Sequence, residues 1–546
     1  MNPTKEVQEL IAYLLKEGIF LSSEFSDFSD NQLQDFLVFA KNKTKPLVLT
    51  KDLFSIPQIE QEDIVNLERE RVSLEKGKKN DYFNVLQLLI EKHKKIYGQT
   101  PKIIQEQSPN IIQEQSPNKF PSLQPEPTQP QIQIITTYEG DSKKRTVSDF
   151  VAYFKNRYDS LKIILHNRPE LQNIVSISHA LTKKDKTTIM GLVFKKTVTK
   201  NNNIILELED PTSAISCIIN KEKMHSPEEI NTINNIVEDE VIAVTGSIRR
   251  DALFVDEIIT PNTVIKEKKY ADQEVLAAFT ADLHIGSKMF LEKEFENFLN
   301  WINLSSDFES PIDPYKIKYL FLVGDLVDGV GIYPEQDAEL SISDIYAQYE
   351  KCAELLSQIR KDIKLIICPG NHDALRLSEP QPPLSKEFAK PLYALPNAVF
   401  LSNPSFLNIA QTQKFVGFDT LLYHGYSFDY FINTVNSIRE KGGYNNPGAV
   451  TKFLLQKRHL APTHQSTLHI PDTKTDPLVI SRVPDLFVTA HIHKLGVSSY
   501  NNIISISCSC WQGKTTFQEK VGHEPDPCKL PVFNLKTRAV NILDFN

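Results

Sequence analysis

The segment Tyr319-Leu-Phe-Leu-Val-Gly-Asp-Leu-Val-Asp328 leads from an apolar run into two aspartates, Asp325 and Asp328. Apolar runs of this length are typical of strands that are buried on both faces of a sheet. Open α/β sheets carry their functional side chains at the carboxyl ends of such strands. The segment therefore predicts a buried strand that ends in a functional carboxylate.

Four further segments repeat this arrangement, because each places side chains of metal-ligand type just after a β-rich apolar run. They are Asp282-Leu283-His284 after residues 275–280, Asn371-His372-Asp373 after residues 365–368, His424-Gly425 after residues 420–423, and His491-Ile492-His493 after residues 486–489. Each motif alone is more often a turn or a satisfied polar pair, whereas the ordered set of five favours one shared metal site. Helical spacing recurs between the runs, as in Tyr346 to Ile359, which predicts a mixed α/β sheet domain.

The residue types in these motifs indicate phosphoester hydrolysis. Cleaving a phosphodiester near neutral pH requires a hydroxide nucleophile, neutralisation of the phosphoryl oxygens and protonation of the leaving alkoxide. Carboxylate, imidazole and amide oxygen together suit manganese, iron, zinc or cobalt better than they suit magnesium alone. We therefore expect two divalent metal ions, with manganese favoured and iron, zinc, cobalt or magnesium as alternatives.

The order of the five motifs resembles the calcineurin-like metallophosphoesterase superfamily. Longer flanking segments are similar to the small, exonuclease subunits of the archaeal D-family DNA polymerases. These segments are Gly324-Asp-Leu-Val-Asp-Gly-Val-Gly-Ile-Tyr-Pro334, Asn371-His-Asp-Ala-Leu-Arg376, Tyr423-His-Gly-Tyr-Ser427 and Trp511-Gln-Gly-Lys-Thr-Thr-Phe-Gln518. The resemblance covers residues 145 to 546 and is far more specific in these flanks than in the superfamily ligands.

The resemblance implies a role for each ligand position. Asp325 would bridge the two metals; Asp282, His284 and His493 would complete one of them, and Asn371, His424 and His491 the other. The chain departs from the superfamily at Ala490, where glycine usually precedes the histidine. If that position needs a positive φ, alanine costs about 1 kcal/mol there.

Four other residues are candidates around these ligands. His372 is not required as a ligand, and could protonate the leaving oxygen or stabilise the transition state, with Asp373 orienting its ring. Asp373 could equally be a turn-forming aspartate. We expect Asp328 to hold a ligand imidazole or a loop amide. Arg376 could form a fork onto a phosphate or remain a solvated loop arginine.

Composition divides the 546 residues into four parts. Residues 1–96 carry amphipathic patterns and are predicted to be a small helical interaction module. Residues 97–140, with the exact tandem repeat of 103–110 in 111–118 and a proline- and glutamine-rich tract, are predicted to be a flexible linker. A helix over Ser148 to Ile163, capped by Ser148, and five short strands predict an OB-fold barrel over 141–270; the strands are 188–194, 203–208, 214–219, 241–247 and 253–258. By the resemblance, residues 271–546 form a calcineurin-like αβ-sandwich phosphoesterase domain, and the barrel helps to bind a large subunit.

Charge and cysteine content exclude some classes of protein. The formal net charge of −8 argues against a general nucleic-acid-coating protein, although two dications would neutralise a substrate locally. The six cysteines contain no Cys-x-x-Cys pair, so neither a disulfide framework nor a zinc ribbon is indicated. The amino terminus is charged and its apolar runs are short, which predicts a soluble, cytoplasmic protein without a membrane partner.

Two hypotheses for function remain. The first is a metal-dependent 3′–5′ DNA exonuclease, acting on single-stranded or mismatched 3′ ends as the proofreading subunit of a replicative polymerase with a large catalytic subunit. Direction, DNA preference and proofreading come from the resemblance, since the ligands alone imply only phosphoester hydrolysis. The alternative is a catalytically inactive, B-type scaffold subunit of a DNA polymerase. An inactivated site would have lost ligands, and all seven expected positions are filled here, which favours the enzyme.

Overall fold

The computed structural model describes residues 131–546 except 141–142, 172, 183–185, 224–225, 306–307, 309, 473 and 522. It also describes two short strands near the amino terminus, β1 (Phe20–Leu21) and β2 (Val48–Leu49), which pair in parallel. The rest of the predicted helical module and the tandem repeat lie outside the described residues.

The first half of the described chain alternates strands and three helices. In chain order it contains β3 (Ile132–Thr136), α1 (Val147–His166), β4 (Ile174–Val175), α2 (Ile177–Thr182), β5 (Lys186–Val198), β6 (Ile204–Asp210), β7 (Ser213–Ile219), α3 (Pro227–Asn234), β8 (Val241–Arg249) and β9 (Ala252–Ile259).

The second half holds the elements around the predicted ligands. In chain order it contains β10 (Leu276–Thr280), α4 (Glu292–Ile302), β11 (Ile317–Val323), α5 (Ile345–Ser357), β12 (Lys364–Cys368), α6 (Lys390–Tyr393), β13 (Ala398–Phe400), β14 (Ser405–Ile409), β15 (Phe418–Leu422), α7 (Phe428–Thr434), α8 (Asn436–Glu440), α9 (Pro447–Lys457), β16 (Leu486–Thr489), β17 (Gly496–Tyr500), β18 (Ile503–Ser507), α10 (Thr516–Val521), β19 (Lys529–Asn534) and β20 (Val540–Asp544).

Strands β5 to β9 close into a small barrel. The strand order is β4-β5-β6-β7-β9-β8, and an additional pairing of β5 with β8 joins the two ends. Alternating apolar residues fill the interior, including Val193, Leu206, Cys217 and Leu253, all fully buried. Closure of this kind leaves few strand edges open to pairing with other chains. The prediction of a mixed α/β fold with a small barrel is confirmed.

Two six-stranded sheets pack face to face to form the larger core. Their orders are β13-β12-β11-β10-β19-β20 and β17-β18-β16-β15-β14-β3. The core between them includes Phe279 and Phe321, whose rings stack at 4.8 Å, and Val488 from the opposite sheet. Helices α4 and α5 cover the outer face of the first sheet, and α7 to α9 cover that of the second. Since β10, β11 and β12 are parallel to one another, as are β15 and β16, their carboxyl ends meet at one edge.

The predicted linker ends earlier than its composition suggests. Residues 132–136, which fall inside the predicted linker of 97–140, form β3 and pair antiparallel with β14. Ile132 packs against the core between the sheets, and Ile135 packs against the helices outside the second sheet. Alternating isoleucines within a glutamine- and proline-rich tract gave too weak a signal to separate this strand from the linker.

Helix α1 begins and ends close to its predicted bounds, but its cap differs from the prediction. Thr146, rather than Ser148, precedes the first turn, and the Asp149 carboxylate accepts hydrogen bonds from the Thr146 amide at 2.6 Å and hydroxyl at 2.9 Å. An acidic side chain in the first turn also complements the positive end of the helix dipole. Of the helices in the described part of the chain, none combines the length and apolar composition needed to span a membrane.

Candidate metal centre

All seven predicted ligands lie just beyond strands whose carboxyl ends meet at one edge. Asp282 and His284 follow β10, Asp325 follows β11, Asn371 follows β12, His424 follows β15, and His491 and His493 follow β16. Close approach of these loops depends on glycine, because a Cβ on Gly324 or Gly370 would collide with the His424 ring. Gly324 also has a φ of 88°, which side chains rarely allow.

The first group of ligands surrounds one face of the Asp325 carboxylate. His284 Nε2 lies 3.0 Å from His493 Nε2 and 3.9 Å from Asp325 Oδ2. Asp282 Oδ1 lies 3.8 Å from His493 Nε2. Ligand atoms of Asp282, His284 and His493 all fall within 4.8 Å of one another.

The second group shares Asp325 with the first. His424 Nε2 lies 3.2 Å from Asp325 Oδ2 and 3.0 Å from Asn371 Oδ1. Ligand atoms of Asp325, His424 and His491 again fall within 4.8 Å of one another. Asp325 is therefore the carboxylate between the two groups.

The donor atoms fit divalent cations. Asp282 Oδ1 is buried and, among the described residues, has no hydrogen-bond partner, a costly arrangement for a carboxylate unless a cation compensates it. Burial, with Asp325 adding to it and His424 opposing it, raises the pKa of Asp282 to about 6. Burial alone would lower the pKa of His424, but Asp325 and Asp282 raise it to about 10. Two carboxylates, four imidazoles and one amide oxygen form a set that suits manganese, iron, zinc or cobalt.

Outer hydrogen bonds fix the ring orientation of two ligand histidines. Asp328 Oδ1 lies 3.0 Å from His284 Nδ1, and the Val323 carbonyl lies 2.8 Å from His424 Nδ1. Contacts of this kind orient metal-ligating imidazoles and raise their basicity. Asp328 is itself held by the side-chain amides of Gln336 and Gln512, at 2.9 and 3.1 Å from its two carboxylate oxygens.

Sequence reasoning missed two residues that contact ligand rings. Asp429, in the first turn of α7, places Oδ2 at 2.9 Å from His491 Nε2, and its Oδ1 accepts a hydrogen bond from Tyr444. Gln518 in α10 lies 2.8 Å from His493 Nδ1. Asp429 lies two residues beyond the family-like segment that ends at Ser427, and Gln518 is the last residue of the segment that begins at Trp511. Only the folded chain shows that α7 and α10 face the histidines that follow β16.

His372 lies beside both groups without belonging to the seven ligands. Its amide donates to Asp325 Oδ1 at 2.8 Å, and its Nδ1 lies 2.8 Å from the Asp328 carbonyl oxygen. Burial lowers the pKa of His372, and Asp325 partly offsets this effect. The Asp328 carbonyl therefore sets the ring orientation and leaves Nε2 as the second nitrogen.

Asp373 does not take the predicted position next to the His372 ring. Its Oδ2 accepts the amides of Asp325 at 3.0 Å and Gly370 at 2.9 Å, and Tyr349 donates to Oδ1 at 3.2 Å. Burial, reinforced by Asp325, raises the pKa of Asp373 to about 7. Asp373 therefore ties two ligand loops together, which is closer to the turn-forming alternative.

Arg376 is not the solvated loop arginine of one alternative, and Ala490 does not meet the condition for backbone strain. Arg376 is half-buried, donates to the Pro380 carbonyl at 2.7 Å and lies over the Tyr138 ring, rather than extending into solvent. In the loop after β16 the left-handed residues are His491 and His493, with φ of 74° and 53°. Ala490 is not among them and donates its amide to the His424 carbonyl at 2.8 Å, so alanine in place of glycine carries no backbone strain.

Comparisons with known proteins show the family to which the chain belongs. A family model that describes the B-type subunits of DNA polymerases alpha and epsilon matches residues 277–495. The DNA polymerase II small subunit of Methanothermobacter thermautotrophicus is 38% identical over 403 residues, which cover 73% of this chain and 80% of that protein. That of Methanocaldococcus jannaschii is 37% identical, covering 71% of this chain and 64% of that protein. That of Thermoplasma acidophilum is 34% identical, covering 73% and 78%. With these similarities extending over most of the chain, it belongs to the DNA polymerase II small-subunit family of the archaeal D-family polymerases.

Proposed function

We propose that the chain is a metal-dependent 3′–5′ DNA exonuclease and the proofreading small subunit of a two-subunit polymerase. The observation that carries this proposal is the convergence of the six other predicted ligands around Asp325. Asp282 Oδ1 is buried there and unpartnered among the described residues. A scaffold would gain stability by replacing such buried charges with apolar side chains. Retention of the complete set therefore favours catalysis.

The two ligand groups, which have Asp325 in common, would hold two divalent cations. Bound there, the cations would neutralise charge on the phosphoryl oxygens and provide a stronger oxygen nucleophile from water. The outer contacts of Asp328 and Asp429 would keep His284 and His491 aimed at the cations.

His372 would donate a proton to the leaving oxygen. The contact of Nδ1 with the Asp328 carbonyl orients the imidazole, and the hydrogen bond from the His372 backbone amide to Asp325 holds the residue in place. Nε2 is then the nitrogen that can hold or deliver a proton. Asp373 would contribute indirectly by keeping the Asp325 and Gly370 loops together.

The remaining architecture fits a subunit of a larger assembly. In this proposal the two-sheet core is a calcineurin-like phosphoesterase domain and the barrel is an OB-fold that helps to bind the large catalytic subunit. DNA would reach the metal centre as a single-stranded or mismatched 3′ end.

End-labelled single-stranded DNA tests this function. The full chain is incubated with Mn²⁺ and either 5′- or 3′-labelled strands, with and without the copurified large subunit. A 3′–5′ exonuclease shortens the 5′-labelled strand stepwise and releases label from the 3′-labelled strand at once. Asp325→Ala should abolish cleavage, while Asp337→Ala, at an exposed carboxylate, should not. Failure of the wild-type chain to cut under either condition would favour the inactive scaffold.

A further inference from the structure

A cleft with a volume of about 260 Å³ opens beside the candidate metal centre. It is lined by Ile492, which lies between the ligands His491 and His493, and by Lys494 directly after them. The loop after α8 supplies one wall, and the segment after α10 supplies another. We refer to this feature as the Tyr444 cleft, defined by Arg439, Gly443, Tyr444, Ile492, Lys494 and His523. Its volume is close to the lower end of the roughly 300–1,000 Å³ range of small-ligand sites, and suits one nucleotide unit better than a duplex.

The cleft contains a pair of aromatic rings that a base could stack on. The rings of Tyr444 and His523 lie 3.9 Å apart between centroids with an interplanar angle of 47°. Both residues are partly exposed. The Tyr444 hydroxyl donates to Asp429 at 2.8 Å, and Asp429 contacts the ligand His491, so the Tyr444 ring is held at a fixed position relative to the metal centre. Single-stranded nucleic acid is commonly bound by stacking bases on rings of this kind.

Among the charged residues that the structure describes around the cleft, Arg439 is the one suited to bind a phosphate. Among the described residues, Arg439 bonds to two neutral oxygens, the Asn433 carbonyl at 2.9 Å and the Asn436 side chain. Lys494, in contrast, is paired with Asp526 at 3.3 Å. The acidic residue of the lining, Glu524, is paired with Lys514 at 2.6 Å. Arginine presents a planar fork that matches phosphate oxygens, so the exposed Arg439 is suited to that contact.

We propose that the Tyr444 cleft binds a nucleotide of single-stranded DNA adjacent to the scissile phosphate, with the base on the Tyr444 and His523 rings and a phosphate at Arg439. This inference rests on the proposed exonuclease function. The cleft would then guide the strand so that the scissile bond reaches the metals, and stacking would accept any of the four bases, because each has a π face.

A matched pair of variants isolates the ring of Tyr444. Tyr444→Phe keeps the ring and removes the hydroxyl bond to Asp429, whereas Tyr444→Ala removes both. Binding to a fluorescent oligothymidylate is measured by anisotropy in EDTA, and kcat/KM with Mn²⁺ is measured on the same strand and on bis(p-nitrophenyl) phosphate. We expect Tyr444→Ala to bind DNA about 5- to 100-fold more weakly than Tyr444→Phe. The ratio of DNA to small-substrate kcat/KM should fall by a similar factor, mainly through KM. His523→Ala, which leaves Asp429 untouched, serves as a second ring variant if Tyr444→Ala does not fold.

The phosphate contact has its own test. Arg439→Ala should reduce the slope of log binding constant against log salt concentration by about 0.7, the value for one phosphate of a single strand. Lys414→Ala is the control, because this exposed cation lies on the loop between β14 and β15, at the opposite end of the sheet from His424. Its salt slope and both rates should match the wild type.

The outcomes separate the two proposals. The proposed role of the Tyr444 cleft would be overturned if the Tyr444→Ala and Tyr444→Phe variants bound DNA equally well and Arg439→Ala left the salt slope unchanged. This holds even if the wild type cuts DNA. A wild type that hydrolyses neither substrate but binds DNA in a Tyr444-dependent way would overturn the exonuclease and leave the cleft as a DNA site.

Discussion

At the scale of single residues, the candidate metal centre is built on strained turns. Five of the seven ligands have left-handed backbones, with φ between 50° and 74°: Asp282, His284, Asp325, His491 and His493. A residue with a Cβ pays about 1–2 kcal/mol for this conformation. Such strain persists where surrounding structure enforces it, and it clusters at functional sites. Here it turns the chain sharply after β10, β11 and β16, so that side chains from separate strands reach one centre.

His372 offers the sharpest test of the chemistry. If it acts on the leaving group, His372→Ala should keep both metals and lose about 10²- to 10⁴-fold in rate. The loss should be smaller on a nitrophenyl phosphodiester, because a leaving group of low pKa needs little protonation. Elemental analysis and rates on both substrates check this. A metal-depleted variant, or an equal loss on both substrates, would assign His372 to coordination or to electrostatic support.

We expect Asp429 to affect metal binding through its contact with His491. Asp429→Ala removes the carboxylate that lies 2.9 Å from His491 Nε2 and should weaken Mn²⁺ binding at one of two sites by about 10- to 100-fold. Asp429→Asn keeps an acceptor oxygen and should reduce the Mn²⁺ affinity less than Asp429→Ala does. Calorimetric Mn²⁺ titration measures both variants. In a His491→Ala background the Asp429 substitution should have no further effect on Mn²⁺ affinity; an undiminished effect there would mean that Asp429 acts on the fold and not on the ligand.

At the scale of elements, a buried ion pair joins helix α1 to the two-sheet core. Arg157 Nε donates to Asp476 Oδ2 at 2.8 Å, and both side chains are fully buried. His459 Nε2 donates to the same oxygen at 2.9 Å, and the stacked rings of His464 and His469 pack beside Tyr153 and Phe154. Removing one partner of such a pair typically costs about 3–5 kcal/mol, because the other charge stays buried. The barrel segment and the sandwich are therefore expected to unfold together.

The histidines of this interface predict loss of stability in mild acid. Burial is the main cause that lowers the pKa of His459 to about 4 and of His469 to about 3. Below pH 6.5 these histidines bind protons in the unfolded chain but stay neutral in the folded chain. The free energy of unfolding should therefore fall as pH decreases from 6.5 toward 4. Each histidine contributes at most about 1.4 kcal/mol per pH unit in that window, and less near its two ends.

A single substitution isolates the contribution of His469 to this pH dependence. His469→Phe keeps a ring against Tyr153 and removes a side chain whose Nε2 has no partner among the described residues. Urea unfolding between pH 5 and 6.5 should show a slope lower by about 1 kcal/mol per pH unit than in the wild type. The exposed His166→Gln is the control. An unchanged slope in His469→Phe would show that His469 is not held neutral.

At the scale of the whole molecule, the sequence predicted the strands and the ligand positions, which follow from periodic patterns. It did not predict contacts between residues that are distant in the chain. The predicted strand 486–489 matches β16, and the four other predicted strands overlap β10, β11, β12 and β15, since buried parallel strands leave long apolar runs. The placement of all seven ligands after these strands followed from the same pattern. The contacts of Asp373 with Asp325 and of Asp429 with His491 depend on which loops meet, and nothing local encodes that. Strand β3 was missed because an edge strand needs few apolar residues.

Two truncations that differ by β3 test how the chain is divided. Deleting residues 1–130 should leave the metal centre intact, since no ligand motif lies there. Deleting residues 1–140 also removes β3, the strand that pairs with β14, and the buried Tyr138, whose amide donates to Ser402 at 2.7 Å and whose ring lies under Arg376. Ile132 and Ile135 leave their packing sites as well, so the longer deletion should lower the free energy of unfolding by at least about 2 kcal/mol relative to the shorter one. Denaturant unfolding and Mn²⁺-dependent hydrolysis of bis(p-nitrophenyl) phosphate are measured on both. Equal stability of the two truncations would show that β3 does not stabilise the sheet. Loss of Mn²⁺-dependent hydrolysis in the shorter deletion would show that residues before 131 are needed for catalysis.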